Sequence, residues 1–419
     1  MSQETSQVEQ KDVVTDLQLR WAPLRVPGFR WLMSAQLASE IGDWAARVAL
    51  QLLVLERTGN AALSALVIAV SLAPWIGLGQ VLASFGDRFP RRSVLIISDL
   101  SRGTIFLVIA AVEIPTAGIL ALAFLAGCFD PPFEASRSAV IPQLVGSKIY
   151  GHAIALTTYV SSTGLLIGYV VGGGLSGWIG PRGALVVNAA TFALSAYLVS
   201  HLPRDGREAT ARRPDIRAAV EFVWRDRVVL WSVVIYALVA FLGMSVEGIA
   251  APYGVEILGL ANVEIGVLLA MVPLGTIVGT LAMRPQGSDG RLLLLSGVAS
   301  LVAGVIALPV FLFDWQGLLA HIGFFAIGVG FAASIPTNTA AGRRIPDEIR
   351  ASTFGILQGV VVGAHALGAV TGGLIATTTS LSTAATFGAG ALVAVGVLVV
   401  GAGLLPSTSR VFKMESAVE

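Results

Sequence analysis

Charged residues are scarce in this sequence: Asp, Glu, Lys and Arg make up 13% of 419 residues, whereas 55% are hydrophobic. Soluble globular domains are about 25% charged. The composition therefore excludes a water-soluble protein and favours a protein that is embedded in lipid. The net charge of +1 gives no reason to expect a nucleic-acid partner.

Other absences narrow the function. A single cysteine, Cys128, excludes a disulfide within the chain, and its apolar surroundings indicate a packing role. We find no P-loop, no paired metal-ligand motif, no Gly-x-Ser-x-Gly elbow and no polar segment long enough for an ATPase domain. We therefore expect no cofactor, no metal and no enzymatic activity, and any driving force must come from an ion or substrate gradient. The polar start indicates no signal peptide.

Apolar runs of the length that crosses a bilayer, about 20 residues, recur along the sequence. Several contain proline, which membrane helices tolerate at bends. We predict an all-α membrane protein with twelve transmembrane helices, numbered here as spans 1 to 12. They cover residues 30–55, 61–84, 94–114, 117–137, 152–178, 183–202, 229–250, 262–283, 291–312, 317–340, 352–377 and 383–404.

Basic residues set the expected orientation. With both termini in the cytoplasm, 23 of the 27 Lys and Arg residues fall in cytoplasmic segments. The outer loops hold only Arg57 and Arg182, and Arg47 and Arg102 lie within spans. This asymmetry follows the positive-inside rule and predicts a multi-pass protein of the cell (plasma) membrane with cytoplasmic termini.

The longest polar stretch after the N-terminus divides six spans from six. The predicted units are a cytoplasmic N-terminal tail, a six-helix bundle, a cytoplasmic linker, a second six-helix bundle and a cytoplasmic tail, at residues 1–28, 29–202, 203–228, 229–404 and 405–419. Apolar residues of the linker share one helical face: Ile216, Ala219, Val220, Val223 and Trp224. This spacing predicts an amphipathic helix on the inner membrane surface; the alternative is a flexible linker.

The two halves repeat each other weakly. Ile141-Pro142 corresponds to Ile345-Pro346, each following the fourth span of its half. Gly168-x-x-x-Gly172-Gly173 corresponds to Gly368-x-x-x-Gly372-Gly373 in each fifth span. The matches predict two pseudo-symmetric halves, related by an axis along the membrane normal, that enclose a central site suited to alternating access.

Ionisable residues within the spans indicate a functional or structural role, because inserting each one near mid-bilayer costs at least ~2.5–3.5 kcal/mol. Glu40, Asp43 and Arg47 lie on one face of span 1. We expect Asp43 and Arg47 to form an ion pair, which leaves Glu40 as the less compensated acid. A carboxyl that gains and loses a proton as water access changes is what proton coupling needs. The trio therefore serves proton coupling or substrate contact, or else it is a structural ion pair.

Further candidates lie in other spans. Asp130, Glu134 and Arg137 share one face of span 4, and we expect Glu134 and Arg137 to form a structural pair at its cytoplasmic end. For Asp130, functional and structural roles stay open. Glu247 in span 7 either contacts substrate or reaches the outer water. His365 in span 11 either titrates or packs within the helix bundle.

The segment that joins spans 2 and 3 is strongly charged. Gly86-Asp87-Arg88-Phe89-Pro90-Arg91-Arg92, the charged turn, resembles the loop between the second and third helices of major facilitator superfamily transporters. That resemblance implies a conformational latch formed by Asp87, Arg88, Arg91 and Arg92. Asp99 and Arg102, early in span 3, are expected to be partners of the charged turn.

A line of glycines in span 5 is similar to the antiporter motif of the same superfamily. It consists of Gly164, Gly168, Gly172 and Gly173, with Tyr169 at the position where the family usually has proline. Removing side chains lets helix backbones approach closely, for rocking or for static packing. The resemblance implies antiport.

Within the superfamily, Phe29-Arg30, Gly42-Asp43-Trp44 and Ile97-Ser98-Asp99-Leu100-Ser101-Arg102 look like the branch of bacterial macrolide-efflux and enterobactin-exporter permeases. That resemblance implies a proton-coupled exporter of amphipathic drug-like or siderophore-like compounds. The alternative is a same-fold importer or facilitator of a nutrient or lysolipid. An intramembrane enzyme or a receptor is less favoured. The expected partners are a small-molecule substrate, protons and the lipid bilayer, and the expected state is a monomer.

Overall fold

The computed structural model describes most of the chain in one helical architecture. The described residues are 21–76, 78–79, 81–82, 88–146, 149–203, 216–283, 287–346 and 349–404. Among them there are helices and no β-strands. The α-helices, renumbered in chain order, are α1 Pro27–Thr58, α2 Ala61–Leu72, α3 Arg91–Ala111, α4 Thr116–Gly127, α5 Asp130–Val145, α6 Tyr150–Val199, α7 Ile216–Arg225, α8 Arg227–Glu247, α9 Ala250–Glu256, α10 Asn262–Ala282, α11 Asp289–Leu312, α12 Leu318–Phe331, α13 Ser334–Arg344, α14 Arg350–Thr378 and α15 Leu381–Leu404.

Nine helical segments of the described residues are long and apolar enough to cross a bilayer. One of them runs from His152 to Val199, and at 1.5 Å per residue it is more than twice as long as the ~30 Å hydrocarbon core. Gly180 divides it: its φ of 78° and ψ of 163° are non-helical, and Pro181 follows. Glycine takes such a conformation without a Cβ clash. With the charge-bearing α1 and the shorter α2, the arrangement is consistent with twelve spans in two halves.

The fourth span of each half is broken at the same place. Helix α4 ends at Gly127 and α5 begins at Asp130, followed by Pro131 and Pro132. In the second half α12 ends at Phe331, and α13 begins at Ser334. A proline cannot donate to the carbonyl four residues earlier, so Pro132 interrupts the helix before it. The repeat seen in the sequence is thus also a repeat of backbone shape.

The seventh span is broken too. Helix α8 ends at Glu247 and α9 begins at Ala250, with Gly248 and Ile249 between them. A side chain at Gly248 would press against Ala369 of α14, because an added Cβ would lie 3.0 Å from its Cα. The break therefore sits within a tightly packed region.

The glycine lines of the two halves have matching roles. Gly164 and Gly172 of α6 lie against α1, where an added Cβ at Gly172 would be 2.7 Å from the Cα of Ala45. Gly368 and Gly372 of α14 lie against the backbone of α8 in the same way. The last glycines of the two lines, Gly173 and Gly373, each face the other half instead. Close backbone approach within and between the halves explains the glycines.

Two close backbone contacts between the halves lie on one side of the bundle. An added Cβ at Gly173 of α6 would lie 2.5 Å from the Cα of Gly266 of α10, and one at Gly373 of α14 would lie 2.9 Å from the Cα of Ala62 of α2. Both contacts are far from the side on which α1 begins and α15 ends. We call these the opposite side and the termini side. The structure is therefore closed on the opposite side.

Candidate functional site

A central cavity of about 680 Å³ lies between the two halves. Its wall includes aromatic side chains from both halves: Trp44, Trp75, Phe133, Tyr236 and Phe331. Its charged lining residues are Glu40, Asp43, Arg47, Arg102, Asp130, Glu134, Arg137 and Glu247. Seven of these eight belong to the N-terminal half, and Glu247 is the exception. The cavity lies in the half of the bundle nearer the termini side, where Glu134 is 40% exposed.

Arg102 is the centre of a buried ionic network. Its side chain on α3 is 3% exposed and its guanidinium lies 2.9 Å from Asp43 on α1, 2.9 Å from Asp130 on α5 and 2.7 Å from Asp99. The rings of Phe133 and Phe192 lie 4.8 and 4.6 Å from the guanidinium carbon. A buried arginine is stable only when its donors and charge are compensated in this way.

The expected ion pair between Asp43 and Arg47 is wrong. Asp43 is paired with Arg102, whereas Arg47 lies 3.6 Å from Asp130 and 4.5 Å from the centre of the Trp44 ring. The four-residue spacing does place Asp43 and Arg47 on one helical face. However, Arg102 of α3 lies closer to Asp43 and pairs with it, and the Arg47 guanidinium instead packs over the ring of Trp44.

Asp99 and Arg102 were expected to be partners of the charged turn. They do not contact residues 88–92, the part of that turn that the structure describes, so the expectation is wrong for these residues. Asp99 accepts hydrogen bonds from Ser39 at 3.3 Å and from Arg102 at 2.7 Å, and it is fully buried. Helix α3 begins at Arg91, so Arg102 lies near its middle rather than in its first turns.

A second ionic cluster lies beside the first. Arg137 is 2.5 Å from Glu134, the pair that the sequence predicts, and 4.0 Å from Glu40. Glu40 also accepts hydrogen bonds from Ser161 at 2.9 Å and from Trp44 at 3.3 Å. Glu40 is therefore compensated by neighbours on α1, α5 and α6.

Glu247 lies at the break between α8 and α9, on the cavity wall formed by the C-terminal half. It is 5% exposed, so the suggestion that it reaches outer water is wrong. Its carboxylate accepts a hydrogen bond from the hydroxyl of Tyr169 on α6. Next to it, Gln51 of α1 donates to the carbonyl of Gly248 at 3.1 Å. Both bonds join the two halves.

Sequence reasoning did not single out Tyr169 or Gln51 for contact with Glu247. Two signals were present: a tyrosine stands in the glycine line where proline is usual, and an isolated acid occurs in an apolar span. Neither observation identifies the partner, because the two helices belong to different halves.

His365 also lines the cavity, from α14. Its ring packs edge-to-face against Phe331, with 5.7 Å between the ring centres. Of the charged turn, Asp87 lies outside the described residues and Arg88 is exposed. Arg91 donates to the carbonyl of Ala139 at 2.8 Å, and Arg92 donates to that of Leu202 at 3.0 Å. These two hydrogen bonds thus link the start of α3 to α5 and to the turn that follows α6.

No group of three or more His, Cys, Asp or Glu side chains suited to a metal ion occurs among the residues that the structure describes. What the cavity offers is charge, aromatic surface and space for a small molecule. A two-half helical bundle around such a cavity defines a membrane transporter.

The sequence profile of the Major Facilitator Superfamily matches residues 32–369. The protein belongs to this superfamily and is a multi-pass membrane transporter, not an enzyme. The chain is 23% identical over 364 residues to the uncharacterized MFS-type transporter YfiS of Bacillus subtilis. The aligned region covers 83% of this chain and 87% of YfiS. It is 24% identical to the multidrug efflux pump Tap of Mycobacterium tuberculosis over 54% of this chain and 58% of Tap.

Solved structures share the fold. A bacterial homolog of the human lysosomal transporter Spinster, in an inward-facing and unoccupied conformation, matches with a TM-score of 0.73 and 15% identity. The match covers 94% of this chain and 98% of the homolog. The nucleoside transporter NupG matches with a TM-score of 0.68 and 15% identity, covering 93% of this chain and all of NupG (100%). The predicted superfamily and helical fold are confirmed.

Proposed function

We propose that the protein is a proton-coupled antiporter that exports small amphipathic organic compounds by alternating access. One observation carries the proposal: five carboxylates line the central cavity, but only three arginines accompany them. The carboxylates are Glu40, Asp43, Asp130, Glu134 and Glu247. This excess of two negative charges requires counter-charges that do not come from the cavity's own arginines.

Protons can supply that charge. Carboxylates that share an arginine form one electrostatic unit, because the charge of each changes the field at the others. Asp43 and Asp130 share Arg102, and Glu40 and Glu134 share Arg137. Such units can take up a proton when the cavity faces an acidic compartment and lose it when cargo arrives. Competition between proton and cargo for one cavity gives antiport.

The amphipathic cargo follows from the rest of the wall. Trp44, Trp75, Tyr236 and Phe331 offer flat apolar surface beside the carboxylates, as small-molecule pockets commonly do. The similarity to a protein named multidrug efflux pump supports export. A same-fold importer or facilitator of a nutrient or lysolipid is the alternative, and it differs in the direction of coupling.

The test is transport into proteoliposomes with an imposed pH gradient. Protons flow towards the alkaline compartment, so an antiporter accumulates cargo in the acidic one, a symporter in the alkaline one, and a facilitator in neither. Ethidium is a suitable cargo because its permanent charge prevents trapping as a weak base. Protein-free liposomes and nigericin with potassium, which dissipates the gradient, are the controls. Absence of gradient-driven accumulation for every compound of an amphipathic panel would refute the proposal.

A further inference from the structure

Glu247 differs from the other carboxylates of the cavity in having no cation beside it. Asp43, Asp130, Glu134 and Glu40 each lie within 4.0 Å of an arginine. Glu247 forms no ion pair with any residue that the structure describes, and its carboxylate accepts a hydrogen bond from the neutral hydroxyl of Tyr169. At 5% exposure, a carboxyl without an ion-pair partner is strongly disfavoured in its ionised form unless a proton or a cation reaches it from the cavity.

The surroundings of Glu247 fit a ligand better than an internal cation. Arg47 of α1 acts on the Glu247 carboxylate electrostatically from beyond ion-pair distance, but its guanidinium lies over Trp44 and pairs with Asp130 at 3.6 Å. From α14, His365 lines the same cavity and packs on Phe331. The other lining residues of the C-terminal half carry no charge: Met244 and Val272 are apolar, and Thr276 and Gln358 are neutral polar residues.

We propose that Glu247 binds the cationic group of an amphipathic cargo, whose ammonium takes the place of the Tyr169 hydroxyl at the carboxylate. This inference rests on the proposed function and adds to it the charge of the cargo and the residue that recognises it. The aromatic wall holds the apolar body, while the carboxylate selects the positive charge.

Occupation of Glu247 has a mechanical consequence. The Tyr169–Glu247 bond joins α6 to α8, and the Gln51–Gly248 bond joins α1 to the backbone one residue further along the chain. Both hold the break between α8 and α9 against the N-terminal half. A cation that replaces the tyrosine at Glu247 removes one of these two bonds, so cargo binding weakens the closure of the opposite side.

The test uses dansylcadaverine, a fluorescent amphipathic primary ammonium, and its N-acetyl derivative, which is neutral and otherwise the same. Binding to the purified full-length protein is followed by dansyl fluorescence. We expect the wild type to bind dansylcadaverine about tenfold or more tightly than the acetylated probe. Glu247→Gln should abolish that preference and leave the affinity for the acetylated probe within about twofold. Glu113→Gln, at a carboxylate that is 90% exposed, is the matched control and should keep the preference.

Tyr169→Phe separates ligand binding from a merely structural role. Removing the competing hydroxyl should raise the affinity for dansylcadaverine, whereas loss of a structural bond alone would lower the affinity for both probes. The proposal is overturned if the wild type does not distinguish the probes, if Glu247→Gln retains the preference, or if Tyr169→Phe weakens cation binding. Charge-selective binding without gradient-driven flux in proteoliposomes would instead refute proton coupling and leave the binding site intact.

Discussion

Arg102 and Asp43 are 59 residues apart in the sequence, yet their guanidinium and carboxylate lie 2.9 Å apart in the membrane-spanning bundle. The same guanidinium nitrogen also donates to Asp130 at 2.9 Å. One arginine therefore joins α1, α3 and α5. Any change of protonation at one acid alters the electrostatic balance of all three helices.

Replacing Arg102 should strongly destabilise the protein. Arg102→Met leaves Asp43, Asp99 and Asp130 without their shared cation, and breaking a buried pair from one side costs about 3–5 kcal/mol. Arg182→Gln removes only a surface pair with Glu113, and such pairs contribute about 0–1 kcal/mol. Thermal unfolding in detergent, followed by tryptophan fluorescence, should show a much lower Tm for the first variant. Equal Tm values for the two variants would contradict the central role of Arg102.

Asp43 and Asp99 should affect transport differently although both contact Arg102. Asp43 is 19% exposed and lines the cavity, whereas Asp99 is fully buried outside its wall. Asp43→Asn should abolish accumulation driven by a pH gradient while cargo exchange without a gradient persists. Asp99→Asn should lower the Tm and keep coupled accumulation per folded molecule. Gradient-driven flux that survives in Asp43→Asn would exclude Asp43 as a coupling residue.

A methyl group at Gly173 should open the side that is closed in this structure. Its Cβ would lie 2.5 Å from the Cα of Gly266, so the halves must separate. Gly174→Ala is the neighbouring control, because an added Cβ there has nothing within 4 Å. Spin labels at Glu56→Cys and Leu318→Cys, in a Cys128→Ser background, report the distance between the halves on that side. We expect Gly173→Ala to move the ratio of closed to open states at least about tenfold and Gly174→Ala to leave it unchanged.

Neutralising the acid of the charged turn should also shift the conformational equilibrium. Asp87→Asn removes the negative charge among Arg88, Arg91 and Arg92, on which the resemblance to the superfamily latch depends. The same spin-label pair measures the populations. Glu221→Gln is the control, since that carboxylate forms an exposed pair with Arg225 at 2.6 Å. Identical distance distributions for wild type and Asp87→Asn would rule out a latch at Asp87.

The general fold could be predicted from the sequence because a bilayer imposes strong constraints. The length of an apolar run predicts a span, and duplicated motifs such as Ile141-Pro142 and Ile345-Pro346 indicate two related halves. The glycine lines also indicated close backbone approach. Their direction was not predictable, since only the structure shows that Gly172 faces its own half and Gly173 faces the other.

The site was harder to predict, because the sequence shows which charges share a helix face but not which helices meet. The four-residue spacing predicted an ion pair between Asp43 and Arg47, whereas in the folded protein Asp43 forms its ion pair with Arg102. The predicted bounds of span 3 placed Arg102 early in that span, but α3 begins at Arg91 and has Arg102 near its middle. The hydrogen bond between Tyr169 and Glu247 joins the two halves, and no pattern in the sequence pairs these two residues.

Nearly all the charge of the cavity belongs to the N-terminal half, and the facing wall is uncharged apart from Glu247 and the titratable His365. This gives the carrier a division of labour. Residues such as Tyr236, Thr276 and Phe331 can be exchanged during evolution without touching the arginine-centred network. New cargo preferences can then arise by ordinary substitutions on one wall while the charged network on the other, for which we propose proton coupling, stays the same.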